Sequence, residues 1–268
     1  MKDRTQFHCW RRRSIRLLAE LATLCRSCGD DGGEEELHRL RVALRRVRLY
    51  LRLARPWLAS AVMREFRPWA SSLAETTGRV RDFDVALAWL KGRESVSGVR
   101  ELLARQRSRL WAKSRARLSP PPIATAEALT GLVGSRERTK QFAKRLRKRK
   151  TALKAEVARQ LPDFPGLAPA ARHEFRRALR RWRYLRELTI PRRKHADDRF
   201  LNLLIHAQEA IGEERNRLVT EGLVQRLRGC RQGPGLRARL ARERVQWAAR
   251  ANAALKGISK RLGSSEDL

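Results

Sequence analysis

The segment Leu37–Arg48 has a counterpart at Arg172–Arg183. Aligned on His38 and His173, both copies read H-x-x-R-x-A-L-R-R-x-R at an offset of 135 residues. A second pair follows in the same order, Gly78-Arg79-Val80-Arg81-Asp82 and Gly212-Glu213-Glu214-Arg215-Asn216, at an offset of 134. Two ordered matches at one spacing, near half of a 268-residue chain, mark a duplicated structural unit. The expected organisation is a single domain over 1–268, with a first repeat near 5–118 and a second near 124–262.

The residues between the matches are rich in Leu, Ala, Arg and Glu, all strong helix formers, and strand-like alternation of β-branched residues is absent. Helices are expected near 5–28, 35–54, 57–77, 80–92, 97–118, 124–160 with a break near Gly134, 168–189, 195–228 and 235–262. Breaks are expected at Gly29-Asp30-Asp31-Gly32-Gly33, Pro56, Ser119 to Pro122, Pro162 to Pro169, Pro191 and Gly233-Pro234, with a frayed tail from Gly263 to Leu268. The fold class is all-α.

Charge narrows the function. The chain carries 62 Lys+Arg against 28 Asp+Glu, a formal net charge of +34. Self-repulsion on this scale is costly for a compact body unless anions sit on its surface. Of the basic residues 51 are Arg and 11 are Lys. A GC-rich genome accounts for Arg over Lys, but not for positive over negative. The guanidinium fork suits a partner displaying many phosphate oxygens. Apolar residues make up 42% of the chain, enough for a core. No run approaches the ~18 apolar residues of a membrane span. Met1 to Arg13 is polar and arginine-rich, with no apolar signal core, so the expected compartment is the cytoplasm and no membrane partner is expected.

On a helical wheel the first copy separates into two stripes. His38, Arg41, Arg45, Arg48 and Arg52 follow spacings of 3, 4, 3 and 4 and share one face. Leu37, Leu40, Leu44, Val47 and Leu51 lie one residue earlier, about 100° around, as a core-facing stripe. From His38 to Arg52 the rise is roughly 21 Å, with about one cation per turn. In the second copy His173, Arg176, Arg180 and Arg183 hold the same face, backed by Phe175, Leu179 and Trp182, and Glu187 replaces the Arg52 position. Like charges at these spacings repel. A same-sign face is therefore better explained by a bound anion than by solubility. His38 and His173 head the two tracks as candidate phosphate donors, with the alternative of a purely structural bond. His8, His195 and His206 have no repeat partner and are expected to be structural.

Arg81 is a further candidate ligand. Asp82 has two readings, the cap of a helix beginning there or an acceptor orienting Arg41 or Arg45. Arg136 to Lys154 is strongly basic around most of its circumference, so it is either a solvated helix or an auxiliary anion contact. Cys25-x-x-Cys28 lacks nearby partners for a zinc site, and with Cys9 and Cys230 these residues read as reduced thiols. No metal and no cofactor are expected.

These motifs resemble the CHAD family, named for a conserved histidine in an α-helical domain. The match rests on Leu37-His38-x-x-Arg41-Val42-Ala43-x-Arg45-Arg46-x-Arg48, on Gly78-x-x-Arg81-Asp82-Phe83-Asp84-Val85, and on the repeat from His173 to Tyr184. The resemblance implies two helical bundles related by pseudo-two-fold symmetry, with basic faces lining a central groove or pore. It implies inorganic polyphosphate as ligand, association with polyphosphate granules, and His38, Arg41, Arg45, Arg48, His173, Arg176, Arg180 and Arg183 as ligand residues. Glu187 and Asn216 depart from the pattern of the first copy. Some family members are fused to a triphosphate-tunnel metalloenzyme domain bearing E-x-E-x-K. Here the nearest string, Glu34-x-Glu36-x-His38, ends in His and lies in a helix, so the enzyme part is absent.

Three function classes remain to be weighed. Polyphosphate binding without catalysis accounts for charge and repeat together. Non-specific nucleic-acid binding is permitted by charge alone, but only 6% of residues are aromatic and no nucleic-acid motif stands out. Weak binding of this kind is expected. Phosphoanhydride hydrolysis would want a P-loop or a carboxylate cluster for Mg²⁺, and Asp82 and Asp84 are too few.

Overall fold

The computed structural model describes residues 2–30, 33–93, 96–190, 194–227 and 233–263, and among them every extended element is helical. Asp31 and Gly32 of the first expected break, Pro191, Cys230 and the tail beyond Gly263 lie outside the described residues. The chain divides into two compact units, Met1–Arg145 and Leu146–Leu268.

The first unit is built from α1 (Lys2–Asp30), α2 (Glu34–Ala54), α3 (Ser60–Leu90), α4 (Ser97–Arg115), α5 (Ile123–Thr130) and the beginning of α6 (Arg136–Gln160), within which the boundary falls. Glu34, Glu35 and Glu36 fill the first turn of α2, where negative charge offsets the helix dipole. The stripe Leu37, Leu40, Leu44, Val47 and Leu51 is buried throughout. α1 packs on it through Trp10, whose indole Nε1 donates to Tyr50 O at 3.1 Å. The rings of Phe7 and Trp10 meet Phe142 of α6 at centroid distances of 5.6 and 4.9 Å.

The second unit contains α7 (Pro169–Thr189), α8 (Arg199–Gln225) and α9 (Gly233–Gly263). Pro169 opens α7 with its φ already helical. Phe175 and Trp182 are buried, against Phe164 at 4.9 Å and Phe200 at 5.1 Å between ring centroids. Asp198 caps α8 by accepting from Leu201 N at 2.7 Å, and the same carboxylate takes Arg186 in a two-pronged pair at 3.0 Å.

Several expected boundaries move. The break between 77 and 80 does not occur, because α3 runs unbroken through Gly78. Leu73, Thr77, Val80 and Asp84 continue one buried helical stripe across the glycine, and that packing outweighs its ~1 kcal/mol propensity penalty. Residues 55–57 form a 3-10 turn ahead of α3, and α8 begins at Arg199, after the Asp198 cap, rather than at 195. The break near Gly134 is present between α5 and α6. No described helix is long and apolar enough to cross a membrane.

α4 is fastened to α3 by an ion pair, Arg107 Nε to Asp84 Oδ1 at 2.9 Å, with the aspartate 3% and the arginine 18% exposed. Burial pushes the Asp84 carboxyl upward, and the bond and charge of Arg107 oppose that shift. Removing one partner of a buried pair strands the other. Arg107→Ala should therefore lose about 3 kcal/mol in urea unfolding. Arg105→Ala, whose partner Glu101 lies 3.8 Å away on the exposed surface of the same helix, should change stability by less than about 0.5 kcal/mol. Equal losses would show that Asp84 is not held by Arg107.

Candidate anion-binding site

The first unit gathers His38, Arg45 and Arg81. His38 and Arg45 are half-buried on α2, and Arg81 reaches them from α3 closely enough for both guanidiniums to act on the imidazole. Arg81 Nη1 donates to Glu34 Oε1 at 2.8 Å, a partner from the start of α2 that sequence reasoning missed. Arg41 takes an anchoring role. Its Nη1 donates to Ala74 O at 3.0 Å and to Thr77 Oγ1 at 2.9 Å, while Thr77 donates to Leu73 O at 2.7 Å. Arg48 is half-buried and Arg52 exposed further along α2. At the end of the track Arg145 Nη2 donates to Arg52 O at 3.2 Å, so one residue of the basic α6 segment joins it. Only a tertiary approach shows that contact. Asp82 lies inside α3 and so is not a helix cap.

The second unit holds corresponding residues in a related arrangement. His173 and Arg176 on α7 and Arg215 on α8 line one cavity of about 560 Å³. Arg41 lies alongside Gly78, and Arg176 alongside Gly212. A Cβ would stand 3.5 Å from Arg41 Nη1 in the first case and only 2.9 Å from Arg176 Nη2 in the second. Arg180 is half-buried on α7. Arg183 departs from a purely cationic track, because its Nε lies 3.3 Å from Glu187 Oε1 with both side chains largely buried. The sequence signal for that contact was the i, i+4 spacing.

The other residues singled out in the sequence play structural parts. His195 Nε2 lies 3.1 Å from both Glu187 O and Ile190 O, while His8 packs edge-on against Phe7. Cys25 and Cys28 are buried and reduced, and burial pushes their thiols up to about 12 and about 11, which disfavours the reactive thiolate. Among the described residues no three His, Cys, Asp or Glu side chains gather where they could hold a metal ion.

Comparison with known proteins gives one family and two related folds. The family model of the CHAD domain matches residues 14–225. The crystal structure of the CHAD domain from the plant Ricinus communis superposes with a TM-score of 0.62 at 21% identity, covering 93% of this chain and 91% of that one. PptA from Streptomyces chartreusis superposes with a TM-score of 0.52 at 18% identity, covering 96% and 98%. No curated protein matches the sequence.

Electrostatics sets the resting state of the two histidines. Burial lowers the His38 pKa first, and Arg81 and then Arg45 lower it further against a smaller opposing effect of Glu35. His173 is lowered by burial, then by Arg215 and Arg177, against Glu174. Both shifts favour the neutral imidazole. The unfolded chain protonates its histidines near their ordinary value of 6.5, before the folded chain does. Stability is thus retained above that value and lost as pH falls through it. Urea midpoints should drop between pH 7.5 and pH 5.5, and the drop should shrink in a His38→Gln, His173→Gln double variant. A midpoint that rises on acidification would reverse the assignment.

Proposed function

The chain belongs to the CHAD domain family, and from that membership we propose that it binds inorganic polyphosphate without catalysing its turnover. The observation that carries this reading is the crowding of cations on half-buried His38, where burial first, and then Arg81 and Arg45, disfavour its protonation. Such crowding costs free energy in the empty protein. A chain of phosphates relieves it through charge-assisted hydrogen bonds and release of its own counterions. The proposed ligand residues are His38, Arg45, Arg48, Arg52 and Arg81 in the first unit, and His173, Arg176, Arg180 and Arg183 in the second. Arg41 contributes charge to the first group while holding α2 against α3. In the cell the same chemistry would place the protein on polyphosphate granules.

Binding rather than hydrolysis is favoured by the acids themselves. Asp84 is buried and engaged by Arg107, and Glu34 is bonded to Arg81. Phosphate release from polyphosphate in the presence of Mg²⁺ would overturn the non-catalytic part of the proposal.

Titration with long-chain polyphosphate at several salt concentrations tests the binding. Log K should fall by about 0.7 per phosphate contact for each tenfold rise in salt, and orthophosphate should bind far more weakly. An Arg45→Glu, Arg180→Glu double variant should bind at least about tenfold more weakly, a change of about 1.4 kcal/mol. A flat salt response, or equal affinity for monomer and polymer, would refute the reading. Duplex DNA at equal phosphate concentration should bind weakly and fail to displace the polymer.

Glu187 gives a gain-of-function check. Glu187→Arg removes the carboxylate beside Arg183 and places a cation where the first track has Arg52. Affinity should rise several-fold and the salt slope should steepen by about 0.7. An unchanged slope would mean that this end of α7 does not meet the polymer.

A further inference from the structure

The cavity beside His173 has a feature that inorganic phosphate does not explain. Its basic side carries His173, Arg176, Arg215 and Arg244, while Pro169, Ile211, Leu218 and Val219 form an apolar wall. Leu218 is 36% exposed. Polyphosphate is hydrated along its whole length and gains nothing from such a wall. A pocket of about 560 Å³ that combines apolar surface with a few convergent polar groups has the size and composition of a small-molecule site.

The repeat offset shows how the pocket arises. Pro169 stands at the position of Glu34, and Leu218 at the position of Asp84. In the first unit Glu34 bonds Arg81 and Asp84 is buried against Arg107. The second unit has thus exchanged two acids beside its basic cluster for apolar residues. The carboxylate that does line this cavity, Glu214, is engaged by Arg172, and Arg244 is bonded to Glu221 at 3.2 Å. Four guanidiniums line the pocket against the two carboxylates of Glu214 and Glu221, so its field still favours an anion.

We propose that this pocket binds a nucleoside triphosphate, with the phosphates on the His173, Arg176 and Arg215 side and the base against Pro169, Ile211 and Leu218. A nucleoside triphosphate joins a short polyphosphate to a planar body that is its least hydrated part. A sugar phosphate would bring hydroxyl groups to a wall without acceptors. The proposal rests on the reading that these α7 and α8 cations bind phosphate.

The test compares ATP with inorganic tripolyphosphate by calorimetry on the full chain at low salt without Mg²⁺. Tripolyphosphate carries at least as much charge, so electrostatics alone ranks it equal or tighter. The pocket predicts the reverse order, with ATP at least about fivefold tighter. Leu218→Ser should weaken ATP about three- to tenfold and leave tripolyphosphate unchanged, and Leu218 is exposed enough that the variant should fold. Equal or tighter binding of tripolyphosphate, no ATP binding, or equal loss of both ligands in Leu218→Ser would overturn the proposal. Long-chain polyphosphate titrated in parallel separates the two readings. Its failure to bind defeats the polymer reading, whereas the ATP-to-tripolyphosphate ratio judges the pocket alone.

Discussion

A guanidinium laid against a neighbouring helix is the contact on which the basic site depends. Arg41 spends part of its hydrogen-bonding capacity on Ala74 O and Thr77 Oγ1, joining α2 to α3 where both carry cations. Arg176 lies comparably close to Gly212 on α8. In each unit the arginine belongs to the helix headed by the histidine, and the glycine belongs to the helix carrying the third cation. Without such docking, repulsion between Arg45 on α2 and Arg81 on α3 would push the two helices apart. A backbone carbonyl is a suitable partner because it accepts the guanidinium without neutralising it.

The two units handle the remaining charge differently. The first keeps a carboxylate at the head of its track, Glu34 on Arg81, and leaves Arg52 exposed at the other end. The second has a carboxylate near the head of its track as well, and further ones along it. Arg183 is offset by Glu187, Arg181 bonds Glu156 at 3.1 Å, and Arg172 engages Glu214. The motif repeated in the sequence thus lies on a helix in each unit, and a few substitutions redistribute the field around it. The proposed roles follow that redistribution, with a longer cationic track on α2 and a partly apolar recess beside α7.

Much of this was legible in the sequence because periodicity and repetition are local signals. The buried stripe of α2 and the cationic residues one position behind it were readable from spacing alone. The family was readable from two motifs at one offset. What escaped depends on tertiary approach. The expected separation of a helix near 57–77 from one near 80–92 fails because the packing that carries α3 through Gly78 is a tertiary matter. Of the two readings of Asp82, the helix cap fails for the same reason, since a continuous α3 leaves no terminus there. The pairing of Glu34 with Arg81 and the bond from Arg145 to Arg52 O connect residues far apart in the chain, at distances that composition cannot specify.

The crowding of cations also bears on which ligands the proposed site would distinguish. An anion bound at His38 would supply the interaction that burial and two arginines withhold, so it would raise the imidazole pKa and take up a proton. Orthophosphate can satisfy one cluster at a time and must bear the full entropic cost of each binding event. A polymer meets that cost once, after which each successive cation along α2 finds its phosphate already tethered. Linkage then runs in both directions, because a ligand that binds only the folded protein stabilises it in proportion to the logarithm of its concentration over Kd. In the proposed reading, that tethering is what would favour long anions over short ones.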